Sequence, residues 1–143
     1  MTLFITFMAL SLYNTGCMMA LQLQHYAIYP AVGREAFAEY ISANNRSARI
    51  PTIVPAMVLL VTSILLVIYR PPFVHPWEAA AGLALNLLTL FSTFMWQRSL
   101  QAEMARAGYD EAKTQLLIRT NWVRTISYLL LAILSISILN RLV

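Results

Sequence analysis

The sequence predicts an all-α polytopic membrane protein: a four-transmembrane-helix bundle with a short amphipathic interfacial helix after the first span. Four apolar stretches carry this prediction, over residues 3–23, 53–69, 77–96 and 122–139 of the 143-residue chain. Each is close to the ~20 residues that a helix needs to cross the hydrocarbon core of a bilayer. The composition agrees, because 59% of the residues are hydrophobic and 11% are charged, against roughly 45–50% and ~25% in soluble domains.

The first stretch predicts a helix that is kept in the mature protein, because it lacks the positive start and the small-residue cleavage site of a secretory signal. This helix is expected to end at Tyr29 and Pro30, since proline disfavours helical backbone in the residue before it. The segment from Arg34 to about Arg46 then alternates apolar and polar residues at helical spacing. It predicts the short amphipathic helix at the membrane surface.

The remaining connections are short. The turn over residues 70–76 contains three prolines, so the second and third spans are expected to be antiparallel neighbours, with Pro76 and Glu78 in the first turn of the third helix. That helix is expected to run on to Gly108, a residue suited to a helix end, and Asp110 is expected to cap the fourth. With no repeat and no long linker, residues 1–143 are predicted to form a single domain.

The basic residues divide unevenly between the two sides that four spans create. Two of the ten, Arg70 and Arg141, fall on the side of the termini, and eight fall on the other side. The eight are Arg34, Arg46, Arg49, Arg98, Arg106, Lys113, Arg119 and Arg124. The positive-inside rule therefore predicts a multi-pass protein of the cell inner (cytoplasmic) membrane with both termini on the noncytoplasmic side. Since topology explains the net charge of +4, we expect no nucleic-acid partner.

Polar residues inside the spans form stripes at helical spacing. They are Asn86, Thr89, Thr93 and Gln97 on the third helix and Asn121, Thr125 and Tyr128 on the fourth. Hydrocarbon cannot satisfy such groups, so they face another helix or a cavity. Two roles stay open: lining a pocket, or hydrogen bonding between helices at about 0.6 kcal/mol per contact. The threonine and serine positions favour the second role.

Five residues near one end of the first and last helices form the candidate ligand-binding site: Gln24, His25, Tyr29, Asn121 and Arg124. His25 is the catalytic candidate, because an imidazole can act as a general base, although a lone histidine equally suits a hydrogen-bonded interface. Arg124 either extends to the lipid head groups or takes part in the site. We expect Asn121, Trp122 and Arg124 to fasten the last helix to the segment after the first. Asn121 is expected to bond to exposed backbone near the break at Pro30, and Arg124 to reach Glu35 or Glu39.

The sequence contains no metal or haem motif. The single cysteine, Cys17, lies within the first span, and the two histidines, His25 and His75, lie on opposite sides. Neither Glu-x-x-His, His-x-x-His nor Cys-x-x-Cys occurs, and these spacings are typical of di-iron, zinc and covalently attached haem centres. We therefore predict that the chain has no cofactor and no metal ion of its own.

Short motifs from Asn14 onward carry a family resemblance. They are Gln22-x-Gln24-x-Tyr26-x-x-Tyr29-Pro30, Val32-Gly33-x-x-x-Phe37-x-x-Tyr40, Gly108-Tyr109-Asp110 and Thr120-Asn121-Trp122-Val123-Arg124-Thr125. In these the chain resembles the DUF1772 family of four-helix bacterial membrane proteins, which includes the anthrone-oxygenase-like proteins. The most specific piece is Asn-Trp-x-Arg-Thr. The resemblance implies a four-helix membrane bundle and, for some members, cofactor-independent oxygenation of a polycyclic anthrone.

Two functions remain open. Relatives commonly carry Tyr-His-x-x-His in the first loop and a histidine after the third helix, where this chain has Ile41, Asn44 and Gln101. This difference favours a noncatalytic helical-bundle subunit or a lipophile-binding protein. The alternative is a cofactor-independent anthrone-oxygenase-like enzyme that acts on an aromatic or quinone-like lipophile, with His25 as the base. Expected partners are membrane lipids, a hydrophobic small molecule and, through small residues such as Gly16 and Gly82, a second copy or a larger membrane complex.

Overall fold

The computed structural model describes residues 1–142, and these form five helices and no strand. Four helices are long and apolar enough to cross a membrane: α1 (Thr2–Ala31), α3 (Arg49–Ile68), α4 (Pro76–Ala107) and α5 (Glu111–Asn140). The short helix α2 (Phe37–Ser47) is the amphipathic element predicted after the first span. The predicted all-α fold is confirmed. The helices are longer than the apolar stretches because α4 and α5 continue through charged residues at one end.

Both termini lie at one end of the bundle, beside the α3–α4 turn. The Phe4 ring packs edge-on against Phe73 with 5.5 Å between the ring centroids, and Arg141 forms an ion pair with the first turn of α4. At the other end the ring of Phe37 in α2 packs against Tyr109, 5.1 Å away, beside the α4–α5 turn. The four long helices therefore alternate in direction. We call the two ends the terminal end and the α2 end.

Two clusters of buried apolar side chains hold the bundle together. The terminal-end cluster includes Phe4, Phe7, Leu59, Leu66, Tyr128 and Leu131. The α2-end cluster joins α2 to the ends of α1, α4 and α5 through Tyr26, Tyr29, Phe37, Ile41, Met104 and Leu117. Gly82 lets α1 and α4 approach closely, because a Cβ atom there would lie 3.2 Å from the Phe7 ring. Gly16 is exposed and has no such neighbour.

The outer surface of the four long helices is apolar. Between 22% and 39% of the residues in each spanning window are buried inside the bundle, and large side chains such as Ile64, Leu87, Phe91, Leu130 and Ile133 are exposed. A monomeric soluble protein does not expose a contiguous apolar surface of this extent, whereas lipid tails solvate it. The chain is thus a multi-pass membrane protein.

The predicted helix ends of α4 and α5 are confirmed. At the start of α4 the Glu78 carboxylate accepts a hydrogen bond from the backbone N–H of His75 at 2.8 Å. The helix ends at Ala107, before Gly108 with φ of +85°, which a residue without Cβ adopts readily. Asp110 then accepts a hydrogen bond from the backbone N–H of Lys113 at 3.0 Å. These contacts satisfy backbone groups that a helix end leaves free.

The predicted ends of α1 and α2 are shifted. Tyr26–Ala31 winds as a 3₁₀ helix that includes Pro30, and the N–H of Val32 still closes its last turn on the Tyr29 carbonyl at 3.2 Å. Pro30 lacks only its own N–H, which is tolerated in a short terminal turn. The chain break accordingly begins at Val32, and α2 begins at Phe37 instead of Arg34.

Three of the four long helices contain a wide π-helical turn. The turns are Leu21–His25 in α1, Arg49–Ile53 in α3 and Thr93–Gln97 in α4. Such turns are rare in helices and are frequent at functional sites, because they widen the helix locally and displace side chains from the regular face. All three lie toward the α2 end and border the same cavity.

Candidate functional site

A cavity of about 650 Å³ lies among all five helices in the half of the bundle nearest the α2 end. Each π-helical turn contributes to its wall, for example through His25, Thr52 and Gln97. Its volume falls within the roughly 300–1,000 Å³ that small-molecule sites occupy. Several of its lining residues, including Ile53, Phe94 and Arg98, are also exposed on the surface of the bundle.

The wall of the cavity is divided between polar and apolar groups. The apolar lining comes mainly from Leu21, Ile53, Ala56, Met57, Leu90 and Phe94. The polar lining consists of amides, hydroxyls, one imidazole and three guanidinium groups, from Asn44, Asn45, Gln97, Gln101, Thr93, His25, Arg49, Arg98 and Arg124. A wall of this kind matches an amphiphilic ligand, since apolar surface supplies contact and a few polar groups fix orientation.

The three arginines make the cavity electropositive. No aspartate or glutamate occurs among the described residues that line it. The ion pairs found within residues 1–142 join Lys113 to Glu103 and Arg141 to Glu78, both away from the cavity wall. The Arg98 guanidinium lies 5.4 Å from the centre of a phenylalanine ring on the same wall, a cation–π contact that leaves its charge uncompensated.

Two buried amides hold Arg124 in place. Its Nη1 donates to the Asn121 side-chain oxygen at 3.3 Å, and the Asn121 amide donates to the Gln22 side-chain oxygen at 2.7 Å. The predicted contact of Arg124 with Glu35 or Glu39 is wrong, because both carboxylates are exposed on the outer side and neither forms an ion pair. The predicted bond from Asn121 to backbone near the α1 break is wrong too, since Gln22 accepts instead.

One donor of Arg124 has no partner. The Nε atom is buried, and no acceptor within residues 1–142 bonds to it. Most buried polar groups in proteins are hydrogen-bonded, and an exception calls for a physical explanation. Because this atom is buried, a ligand in the cavity does not reach it, although other parts of the Arg124 side chain line the cavity.

His25 lies half-buried on the cavity wall, held by aromatic rings. Its imidazole stacks on Tyr40 with 6.2 Å between ring centroids, and its Nε2 lies 3.4 Å from the Tyr29 hydroxyl. Tyr29 itself is buried and packs edge-on against Phe37. The imidazole is therefore kept in one orientation by packing, with a hydroxyl as its hydrogen-bonding partner.

The structure brings two of the five predicted site residues, His25 and Arg124, to this cavity. Gln24 is exposed and lines a smaller hollow of about 400 Å³ between α1 and the start of α3. Asn121 and Tyr29 are buried behind the wall, where one bonds to Arg124 and the other to His25. They are positioned to support the lining residues and do not line the cavity themselves.

Several lining residues were not predicted. Arg49 and Arg98 enter the sequence prediction only through the positive-inside rule, although each lies at a span end on the same side as Arg124. Asn44 and Gln101, the positions where the family resemblance implies histidines, also line the cavity. That coincidence is the one sequence signal that could have located the site.

The amides of the polar stripes join helices, whereas the threonine hydroxyls bond mainly within their own helix: Thr89, Thr93 and Thr125 each donate to a carbonyl three or four residues earlier. The Asn86 amide donates to the Ser63 hydroxyl at 2.6 Å, which ties α4 to α3. The buried Gln97 amide donates to the Thr120 hydroxyl at 2.9 Å, which ties α4 to α5. Hydrogen bonds between amides and hydroxyls therefore join these helices in addition to apolar packing, one of them at the cavity wall itself.

Among residues 1–142, no group of three or more His, Cys, Asp or Glu side chains could hold a metal ion. The resemblance to the DUF1772 family stays a prediction. No family model matches the chain, and neither the curated proteins nor the solved structures gave a match.

Proposed function

We propose that this protein is a noncatalytic membrane protein that binds a lipophilic small molecule in the cavity at the α2 end. The observation that carries the proposal is the cavity wall itself, which joins an apolar half to a polar half at the level of three π-helical turns. A purely structural bundle has no need for a hollow at that level, because close packing is more stable.

The lipophile would enter from the bilayer. Ile53 and Met57 on α3 and Phe94 on α4 line the cavity and are also strongly exposed on the outer surface. They therefore form a continuous apolar path from lipid tails to the cavity interior. A hydrophobic ligand following this path stays out of water throughout.

The amides on the wall support binding over catalysis. Asn44 and Gln101 occupy the positions where relatives in the resembled family carry histidines. Amides donate and accept hydrogen bonds, but they do not take up or release protons near neutral pH. The wall then retains His25 as its one imidazole.

That imidazole supports a second candidate, the cofactor-independent oxygenase. His25 is half-buried, oriented by Tyr29 and placed on the cavity wall, as a general base would be. Oxygen consumption with an anthrone substrate that is lost in His25→Gln, while ligand binding persists, would favour the enzyme. Absence of any oxygen consumption in the native protein supports binding alone.

The proposal includes an orientation. Eight basic residues at the α2 end against two at the terminal end support placement in the inner membrane with the α2 end, and hence the cavity, on the cytoplasmic side. The cavity would then exchange ligand between the bilayer and the cytoplasmic interface.

A cavity-filling variant tests the binding function. In Ala56→Trp the indole occupies the cavity next to Met57, whereas in Ala84→Trp the same side chain is added to the exposed lipid-facing surface of α4. Each protein is purified in mild detergent, and co-purifying compounds are extracted and identified by mass spectrometry. We expect a lipophile with the native chain and Ala84→Trp that is lost in Ala56→Trp. The same compounds at the same levels in all three would refute the proposal.

A further inference from the structure

We infer that the ligand of this cavity is an anionic amphiphile, whose phosphate or carboxylate head is held by Arg49, Arg98 and Arg124. The inference rests on the proposed binding function and specifies its ligand class. Its basis is that arginines from three different helices, α3, α4 and α5, line one cavity whose wall contains no carboxylate among the described residues.

Charge balance is the first argument. Three positive side chains around one cavity repel each other, and the repulsion grows as the surroundings become less polar. Water and salt screen part of this repulsion at Arg49 and Arg98, which are exposed, and screen it less at the half-buried Arg124. An anion between the three groups removes the repulsion and makes charge-assisted hydrogen bonds with each.

The choice of arginine points to an oxygen anion. A guanidinium presents several N–H groups in a planar fork that matches the spacing of carboxylate and phosphate oxygens. Other basic residues at the α2 end, including Arg106 and Arg119, are exposed and do not line the cavity. The three lining arginines are therefore distinguished from the general positive charge of that end by their position.

Arg124 is prepared for such a ligand before it arrives. Asn121 accepts a hydrogen bond of 3.3 Å from one end of its guanidinium, and Gln22 holds Asn121 in turn through a bond of 2.7 Å. A side chain already ordered in this way loses little rotamer freedom on binding, which raises affinity. Arg49 and Arg98 are exposed and close the polar side of the cavity.

The apolar part of the wall then takes the tail of the amphiphile. Ile53, Met57 and Phe94 connect the cavity to the lipid-facing surface. A head group among the arginines therefore leaves the tail in contact with these side chains and with bilayer lipid. Free phosphate would contact the arginines alone and would leave the apolar part of the wall without a partner. An amphiphile is the ligand that contacts both parts of the wall.

The test is a titration of the purified full chain in neutral maltoside detergent, read by native mass spectrometry. The probes are dioleoyl phosphatidic acid, oleate, dioleoyl phosphatidylcholine and inorganic phosphate. We expect the two anionic amphiphiles to bind roughly tenfold or more tightly than the zwitterionic lipid, since each charged hydrogen bond contributes that much. Arg124→Gln should weaken their binding by roughly tenfold or more, and the matched control Arg119→Gln should not.

The outcomes separate the two proposals. Equal binding of all three amphiphiles, unaffected by Arg124→Gln, overturns the anionic head group and leaves lipophile binding intact. No binding of any amphiphile overturns both. Inorganic phosphate that binds as well as phosphatidic acid overturns the amphiphile and assigns the site to a free anion. If Arg124→Gln does not fold, Arg98→Gln, which changes an exposed side chain, gives the same reading.

Discussion

Replacing Asn121 with leucine should destabilise the bundle by removing the centre of its buried amide chain. Asn121 is fully buried and bonds to Gln22 at 2.7 Å, to Arg124 at 3.3 Å and to Thr125 at 3.4 Å. Leucine has a similar volume, so the change leaves little empty space. The three lost hydrogen bonds contribute about 0.6 kcal/mol each, and the Gln22 oxygen left without a donor costs about 1–3 kcal/mol. Together these terms predict that the free energy of unfolding falls by about 3–5 kcal/mol.

A double-mutant cycle isolates the Asn121–Gln22 bond. Gln22→Leu alone strands the Asn121 amide, whereas the double variant strands neither member of this pair. The free energy of unfolding of the double variant should therefore exceed the value expected from adding the two single effects by about 1 kcal/mol or more. Asn140→Leu makes the same chemical change on the exposed end of α5 and should have little effect.

Unfolding in mixed micelles of dodecyl sulfate and maltoside, followed by far-ultraviolet circular dichroism, measures these differences. Strict additivity in the cycle would show that the two amides do not interact in the membrane. An effect of Asn121→Leu no larger than that of Asn140→Leu would refute the reasoning that the buried amide chain stabilises this level of the bundle.

Three further predictions concern the orientation, the α1–α4 packing and the ion pair at the terminal end of the bundle. Single cysteines are introduced into a variant whose native cysteine is replaced by serine, and intact cells are treated with an impermeant thiol reagent. The reagent should label Thr2→Cys and should not label Ala107→Cys. The reverse labelling pattern would show that the orientation is the opposite of the one proposed. Gly16→Ala should stabilise the protein by up to about 1 kcal/mol, because alanine has the higher helix propensity. Gly82→Ala should be less stable than Gly16→Ala, because its added Cβ would lie 3.2 Å from the Phe7 ring. Equal thermal unfolding midpoints of the two variants would argue against close α1–α4 packing. Glu78→Gln should lower the free energy of unfolding by about 1–3 kcal/mol, because the carboxylate is 1% exposed and accepts a hydrogen bond from Arg141. An unchanged thermal unfolding midpoint would exclude a stabilising role for the Glu78–Arg141 pair.

Local rules were sufficient for the four spans and for several helix ends. A run of apolar residues long enough to cross a bilayer has few alternatives, because every backbone group must be satisfied within the segment. The Asp110 cap and the break at Gly108 follow from side-chain and backbone chemistry within a few residues. The local rule for proline did not predict that Pro30 lies inside the last turn of α1. That turn is a 3₁₀ turn, which tolerates a proline that the interior of an α-helix does not.

The site depended on the rotation of each helix, which the sequence specified less well. Gln24 was chosen as a site residue, yet Gln22 is the one that bonds to Asn121. The buried positions of α1 include Met18, Gln22, Tyr26 and Tyr29, three or four residues apart as on one helical face. That spacing favours Gln22 over Gln24, so the signal was present. The π-helical turns had no comparable signal, because no residue pattern specifies them.

The positive charge at the α2 end supports both the proposed orientation and the proposed anionic ligand. The positive-inside rule requires basic residues on one side of the membrane but does not fix their position around the bundle. Three of the eight, Arg49, Arg98 and Arg124, nonetheless line one cavity, while Arg106 and Arg119 face outward. Neutralising Arg124 leaves seven basic residues on that side against two on the other. Arg124→Gln should therefore preserve the orientation, so that any loss of anion binding reports on the cavity alone.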